Sequence, residues 1–130
     1  METTKKQNTF RGKTIEDLKS MDVREFAKLL ASIQKKYLLR NFQETEDFLN
    51  RANKKISKNK PVKTHKRDLV VVPGLIGMKL HIHNGRAFTP IEITWEMLGH
   101  KFGEFSPTRG RIKHGKAGLG ATKGSKAAKK

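Results

Sequence analysis

The stretch that decides the fold is residues 78–93, which read MKLHIHNGRAFTPIEI. Its first six residues alternate between apolar and polar side chains, as a half-buried β-strand does. Asn84-Gly85 follows, and this dipeptide favours the positive φ angles of a tight hairpin turn. The sequence therefore predicts an antiparallel hairpin. If Asn84 and Gly85 form a two-residue turn, His83 lies opposite Arg86.

Such a hairpin sorts its side chains into two sets, because cross-strand partners share a face. The predicted core face is apolar and consists of Met78, Leu80, Ile82, Ala87, Ile91 and Ile93. The predicted opposite face is basic and aromatic and consists of Lys79, His81, His83, Arg86 and Phe88. Pro90 cannot donate a hydrogen bond to a sheet, so its strand is expected to lie at an edge or to end irregularly.

Helices are predicted before the hairpin. One begins near Thr14, and another near Asp22, which has a glutamate three residues on, the spacing of a capping box. Ile33 and Tyr37 either extend this second helix or start a new one. A further helix covers roughly residues 45–57. The apolar side chains expected to pack are Val23, Phe26, Ala27 and Leu30 near the second helix, and Phe48, Ala52 and Ile56 in the last.

Two more segments complete the predicted core. Residues 69–72 read LVVV and stop at Pro73-Gly74, a pattern typical of a buried strand. Thr94 is placed to cap a short helix that runs from Trp95 to about His100. The expected fold class is therefore α+β, a small mixed domain with a short β-sheet packed by helices.

Charge gives the strongest indication of function. The 130 residues carry 29 Lys and Arg against 12 Asp and Glu, a formal net charge of +17. Residues 51–67 and 109–130 each hold eight basic side chains and no acid. An isolated chain with this charge would repel itself, so a polyanionic partner is expected. Nucleic acid is favoured over an anionic membrane surface.

The charge distribution also predicts three parts. These are a helical N-terminal extension over 1–60, an α+β core domain over 61–109 and a disordered basic tail over 110–130. The tail is rich in Gly and Lys, and it cannot bury enough apolar area to offset its ordering entropy.

Side chains that could perform catalysis or bind metal are poorly arranged. Glu92 and Glu96 are close in sequence, but one should end a strand and the other open a helix. His81 and His83 share a face without a third ligand, and the chain has no cysteine. No catalytic residue, metal or cofactor is therefore expected. The alternatives that remain open are a DNA-compacting protein, an RNA-processing enzyme that uses Glu92 or His83, and a cationic membrane binder.

No membrane span or secretory signal is expected either. No apolar run approaches the roughly 18 residues of a spanning helix, and residues 1–8 are polar. The expected location is the cytoplasm.

A long ordered motif follows the hairpin turn. It consists of Asn84-Gly85-Arg86, then LGHKFGEF at 98–105, then Thr108-Arg109. Together with Thr64-His65-Lys66-Arg67, it resembles small-subunit ribosomal protein family nineteen over residues 61–115. The longer start and RIKHG at 111–115 are similar to archaeal and eukaryotic members, whose eukaryotic counterpart is called S-fifteen.

The resemblance implies a non-enzymatic ribosomal protein. It implies binding to small-subunit rRNA in the head, beside the family-thirteen protein, with the tail toward the decoding site and A-site tRNA. A homo-oligomer is not expected. The predicted RNA-binding residues are Lys63, His65, Arg67, Lys79, His83, Asn84, Gly85, Arg86, His100, Lys101, Thr108, Arg109, Arg111, Lys113 and His114. Gly99, Gly103, Glu104 and Phe105 could equally be architectural.

Overall fold

The computed structural model describes residues 7–115 and 117–124. Its helices are α1 (Ile15–Ser20), α2 (Val23–Ala27), α3 (Ser32–Arg40) and α4 (Phe42–Ser57). Its strands are β1 (Thr9–Phe10), β2 (Lys13–Thr14), β3 (Val62–Thr64), β4 (Lys79–His83) and β5 (Phe88–Glu92). Short 3₁₀ turns lie at Pro73–Leu75, Trp95–Met97 and Phe102–Phe105. The predicted mixed α+β class is confirmed.

The first two helices begin where the sequence predicts. The Thr14 hydroxyl accepts a hydrogen bond from the Asp17 amide at 3.3 Å, and Asp22 caps α2. The Asp22 carboxylate accepts from the Val23 amide at 2.8 Å rather than from the amide a capping box would use. Helix α2 ends at Ala27, and a separate helix, α3, begins at Ser32. Ile33 and Tyr37 therefore belong to a new helix rather than to an extension of α2.

Helix α4 begins at Phe42, three residues before the predicted start. Thr45 lies inside the helix, where its hydroxyl donates to the Asn41 carbonyl at 3.2 Å, one turn back. Phe48 and Ala52 are buried as predicted, whereas the Ile56 side chain is 41% exposed.

The sheet has the order β3-β4-β5, with β3 parallel to β4 and β4 antiparallel to β5. Strand β5 lies at an edge, as Pro90 predicted. The hairpin register differs from the prediction by two residues, because His83 lies opposite Phe88 rather than Arg86. A shift of two preserves the faces of a strand, so Leu80, Ile82 and their partners still face the core.

The register error comes from the turn. The central turn residues are Gly85 and Arg86, and of the residues 84–87 only Gly85 has a positive φ, of 99°. The Asn84 side-chain oxygen accepts from the amides of Arg86 at 3.0 Å and Ala87 at 2.9 Å. Asn84 is thus a flanking residue whose side chain organises the turn. Ala87, predicted in the core, is exposed beside it.

Residues 69–72 do not form the predicted sheet strand. They run through the core as a buried extended segment, with side chains at most 1% exposed. Their backbone partners lie at 99–102. The Val71 amide donates to the His100 carbonyl at 2.8 Å, and the Phe102 amide donates to the Leu69 carbonyl at 2.9 Å. The partner is an irregular segment, so no regular ladder develops.

The predicted helix from Trp95 to His100 is only a short 3₁₀ turn that ends at Met97. Thr94 makes no side-chain cap bond there, and Gly99 has a φ of 81° that stops helical backbone.

One hydrophobic core joins the helices to the sheet. The buried apolar side chains that form it include Leu18, Phe26, Leu38, Phe48, Val70, Val71, Leu80, Ile82 and Phe102. The helices before residue 60 therefore pack against the sheet rather than apart from it. A small β1–β2 hairpin, absent from the prediction, turns at Arg11 and Gly12 with φ values of 51° and 80°. No helix in the described residues is long and apolar enough to span a membrane.

Candidate nucleic-acid interface

The outer face of the sheet carries a cluster of three aromatic rings. Because Val62 and Thr64 are buried, alternation along β3 turns Lys63 and then His65 outward. The His65 ring lies 4.3 Å from the His83 ring and 5.1 Å from the Phe88 ring, centroid to centroid. The His83 and Phe88 rings are 4.9 Å apart and meet edge to face. We call His65, His83 and Phe88 the ring cluster.

One lysine lies close to the ring cluster, and a second lies farther along the same face of the sheet. The Lys63 ammonium lies 5.4 Å from the centroid of the Phe88 ring. The sheet register places Lys63 beside His81, and it places Lys79 beside Glu92 at the far end of the hairpin. This face therefore combines cations with π surfaces that water can reach.

An open cleft of about 590 Å³ continues the surface past the hairpin turn. Its lining residues are Asn84, Arg86, Pro107, Thr108, Arg109, Gly110 and Ile112. Among the predicted site residues, the structure thus brings Arg86 together with Thr108 and Arg109, all exposed. Arg111, Lys113 and His114 follow in an exposed irregular segment. Lys116 and residues 125–130 of the predicted tail lie outside the described residues.

Asn84 and Gly85 hold the turn in shape rather than presenting charge. The Asn84 side-chain oxygen accepts two backbone hydrogen bonds, and the Gly85 amide donates to His83 Nδ1 at 3.0 Å. They position Arg86 at the mouth of the cleft.

Arg67 is committed to the fold. Its Nη1 donates to the His83 carbonyl at 2.7 Å, and its Nη2 donates to the carbonyls of Gly103 at 2.8 Å and Ser106 at 2.5 Å. Gly103 packs closely here, since a Cβ at this position would lie 3.1 Å from the Arg67 carbonyl oxygen. The side chain therefore fastens the 103–106 segment to the end of β4. Its contact with RNA stays a prediction.

His100 and Lys101 also make contacts within the protein. His100 Nδ1 lies 2.6 Å from a Glu104 carboxylate oxygen. The Lys101 ammonium lies 4.8 Å from the centre of the Tyr37 ring. The Tyr37 hydroxyl in turn donates to the Asp68 carboxylate at 3.0 Å. Burial, followed by the hydrogen bond and charge of Asp68, raises the pKa of the Tyr37 phenol.

The described residues offer no group of three or more His, Cys, Asp or Glu side chains that could hold a metal ion. His81 and His83 thus lack a third ligand among them. Glu92 is exposed on β5, and Glu96 lies in the 3₁₀ turn that follows.

Sequence reasoning located His83 and Phe88 on the outer face but did not place His65 beside them. The parallel pairing of β3 with β4 creates that contact. The signal for it is weak, because only the alternation of Val62 and Thr64 with Lys63 and His65 marks a three-residue strand.

Comparisons with known proteins agree on one family. The family model described as Ribosomal protein S19 matches residues 26–114. This interval contains the ring cluster, the cleft and every predicted RNA-binding residue. The small ribosomal subunit protein uS19 of Methanococcoides burtonii is 41% identical over 122 residues, which is 94% of this chain and 88% of that protein.

Proposed function

This chain belongs to the ribosomal protein S19 family, and from that premise we propose that its outer sheet face and the adjoining cleft bind small-subunit rRNA. Family membership makes it a structural, non-enzymatic constituent of the small ribosomal subunit. The finer question is which surface meets the RNA.

The observation that carries the proposal is the ring cluster bordered by cations. Sequence-specific contacts to RNA favour unpaired bases, which stack on aromatic side chains. Lys63 and Arg86 supply charges for the phosphates on either side, because phosphate contacts fix a protein's position on RNA. His65 and Phe88 are thus suited to a base, and Lys63 to its backbone.

The position within the subunit is a second part of the proposal. We infer a place in the head, beside the family-thirteen protein, with the tail toward the decoding site and A-site tRNA. The family resemblance supports this placement. The exposed segment 107–115 also supports it, since its cations project from the end of the core that carries the cleft.

The direct experiment measures binding of the full chain to a small-subunit rRNA fragment. We expect Arg86→Ala to weaken binding about three- to tenfold, the usual effect of removing one phosphate-binding side chain. Phe88→Ala should weaken it as much by removing a stacking surface. Arg40→Ala, which removes an exposed charge from the end of α3, is the matched control.

Equal binding by all three variants and the wild-type protein would contradict the proposed surface. Equal affinity of the wild-type protein for duplex DNA would show that the surface binds phosphate charge without preference for RNA. Co-sedimentation with small subunits after a high-salt wash tests the assembly itself.

A further inference from the structure

A narrow groove between α4 and β3 has an unusual lining. Its volume is about 80 Å³. The apolar and hydroxyl-bearing side chains that line it are Phe48, Ala52, Val62 and Thr64, and its cationic side chains are Arg51, Lys55, Lys63 and Lys66. Four cationic side chains therefore line one groove. Of these, only Lys63 is among the RNA-binding residues predicted from the sequence.

The secondary structure brings these cations together. Arg51 and Lys55 are four residues apart on α4, so they lie on the same side of that helix. Lys63 lies on β3, and Lys66 follows that strand. Two like charges at this spacing repel each other and destabilise the helix. Lys63 on β3 and Lys66 after it add two more positive charges to the same groove. Such an arrangement indicates an anionic ligand.

The counter-charges within the protein are incomplete. Lys66 forms an ion pair with Glu44. Arg51 uses its Nε to donate to the Asp47 main-chain carbonyl at 3.3 Å, which leaves the guanidinium charge uncompensated. Over residues 7–115 and 117–124, Arg51, Lys55 and Lys63 form no ion pair with a carboxylate.

We propose that this groove binds one backbone phosphodiester of the small-subunit rRNA. The proposal rests on the function proposed above and adds a second contact to it. The groove is too narrow for a nucleoside, whereas its exposed cations can reach a phosphate at its mouth. Lys63 belongs to both sites, since it lines the groove and lies over Phe88. A phosphate in the groove and a base on the ring cluster can therefore come from neighbouring nucleotides.

The test removes charge from the groove while keeping the side-chain stems. In the full chain, Arg51→Gln with Lys55→Gln should weaken binding to the rRNA fragment about tenfold at roughly 0.15 M salt. It should also lower the slope of log affinity against log salt by roughly 0.7 to 0.9, the value for one phosphate contact. The matched control is Lys54→Gln with Lys58→Gln, an exposed pair of equal charge and spacing outside the groove.

A phosphate-specific readout completes the design. Ethylation of one particular rRNA phosphate should block binding of the wild-type protein. The same ethylation should not weaken binding of the Arg51/Lys55 double variant any further. Equal weakening by both double variants, or no such phosphate, would overturn the groove proposal. If the groove variants bind like wild type while Phe88→Ala does not, the groove proposal fails and the proposed function stands. Circular dichroism spectra that match wild type exclude loss of α4 as the cause.

Discussion

Arg67 shows most clearly how little a residue's type reveals about its role. In the sequence it is one of eight cations in a block without acids, so a contact with RNA is the natural interpretation. In the fold, three backbone carbonyls from two distant segments converge on its guanidinium. No local pattern foretells that convergence, because it depends on where residues 103–106 return to β4.

We expect Arg67→Ala to lower the free energy of unfolding by roughly 2 kcal/mol, since it leaves three partly buried carbonyls without a charged donor. Arg67→Lys keeps the charge but loses the planar fork, so it should also destabilise the protein. Arg86→Ala, an exposed control, should change stability by less than about 0.5 kcal/mol. Urea denaturation provides the measurement. An Arg67→Ala variant as stable as the Arg86→Ala variant would return Arg67 to the RNA-facing set.

Tyr37 gives a pH-dependent test at the same scale. Its phenol has an ordinary pKa of 10.0, and the folded protein raises that pKa through burial and the neighbouring Asp68. Above about pH 10 the unfolded chain loses this proton before the folded chain does, so stability should fall as the pH rises.

We therefore expect wild-type protein to lose free energy of unfolding relative to Tyr37→Phe in the pH window that opens at about pH 10 and extends upward towards the raised pKa of the folded phenol. Below that window their difference should be constant. Denaturation midpoints of both proteins across the pH range provide the measurement, and the many lysines cancel in the comparison. A constant difference throughout would show that Asp68 and burial do not act on this phenol.

Elements could be predicted better than their connections. The two faces of the hairpin follow from alternation and survive a register shift of two, which explains why Leu80 and Ile82 are buried as predicted. The shift itself depends on whether Asn84 uses its backbone or its side-chain carbonyl in the turn. The run at 69–72 has the composition of a strand, yet its partner is an irregular segment about 30 residues later, which no local signal indicates.

The turn provides the prediction at this scale. Gly85→Ala should lower the free energy of unfolding by about 1–2 kcal/mol, because a side chain strains a backbone with a φ of 99°. Gly110→Ala, in open space, should have little effect. Thermal unfolding of the two variants measures the difference. Equal stability would mean that the 84–87 turn relaxes without cost.

At the scale of the whole molecule, most of the charge is separated from most of the core. Residues 68–108 carry three basic and four acidic side chains and hold most of the buried apolar side chains. The acid-free segments 51–67 and 109–130 carry 16 of the 29 basic residues and, among the described residues, add Ala52 and Val62 to the core. Composition alone predicted this separation and the polyanionic partner. The way β3 joins the basic surface to the ring cluster required the three-dimensional structure.

Removing residues 110–130 takes away seven cations and no acid, which lowers the net charge from +17 to +10. We expect unchanged urea stability, since the described part of this segment is largely exposed. Binding to rRNA should weaken, and the salt slope should fall by more than one unit, at roughly 0.7–0.9 for each phosphate that the tail neutralises. A control variant keeps all 130 residues but has those seven cations changed to Gln. If the control variant binds rRNA as tightly as wild type, the charge of the tail does not contribute to binding.

The pairing of residues 69–72 with 99–102 also orders events during synthesis. When a ribosome has made the chain through β5, all four helices and the sheet strands exist, but the backbone groups at the centre of the core still lack their partners. Closure waits for the segment that ends at Ser106, so the body of the protein matures in one late step.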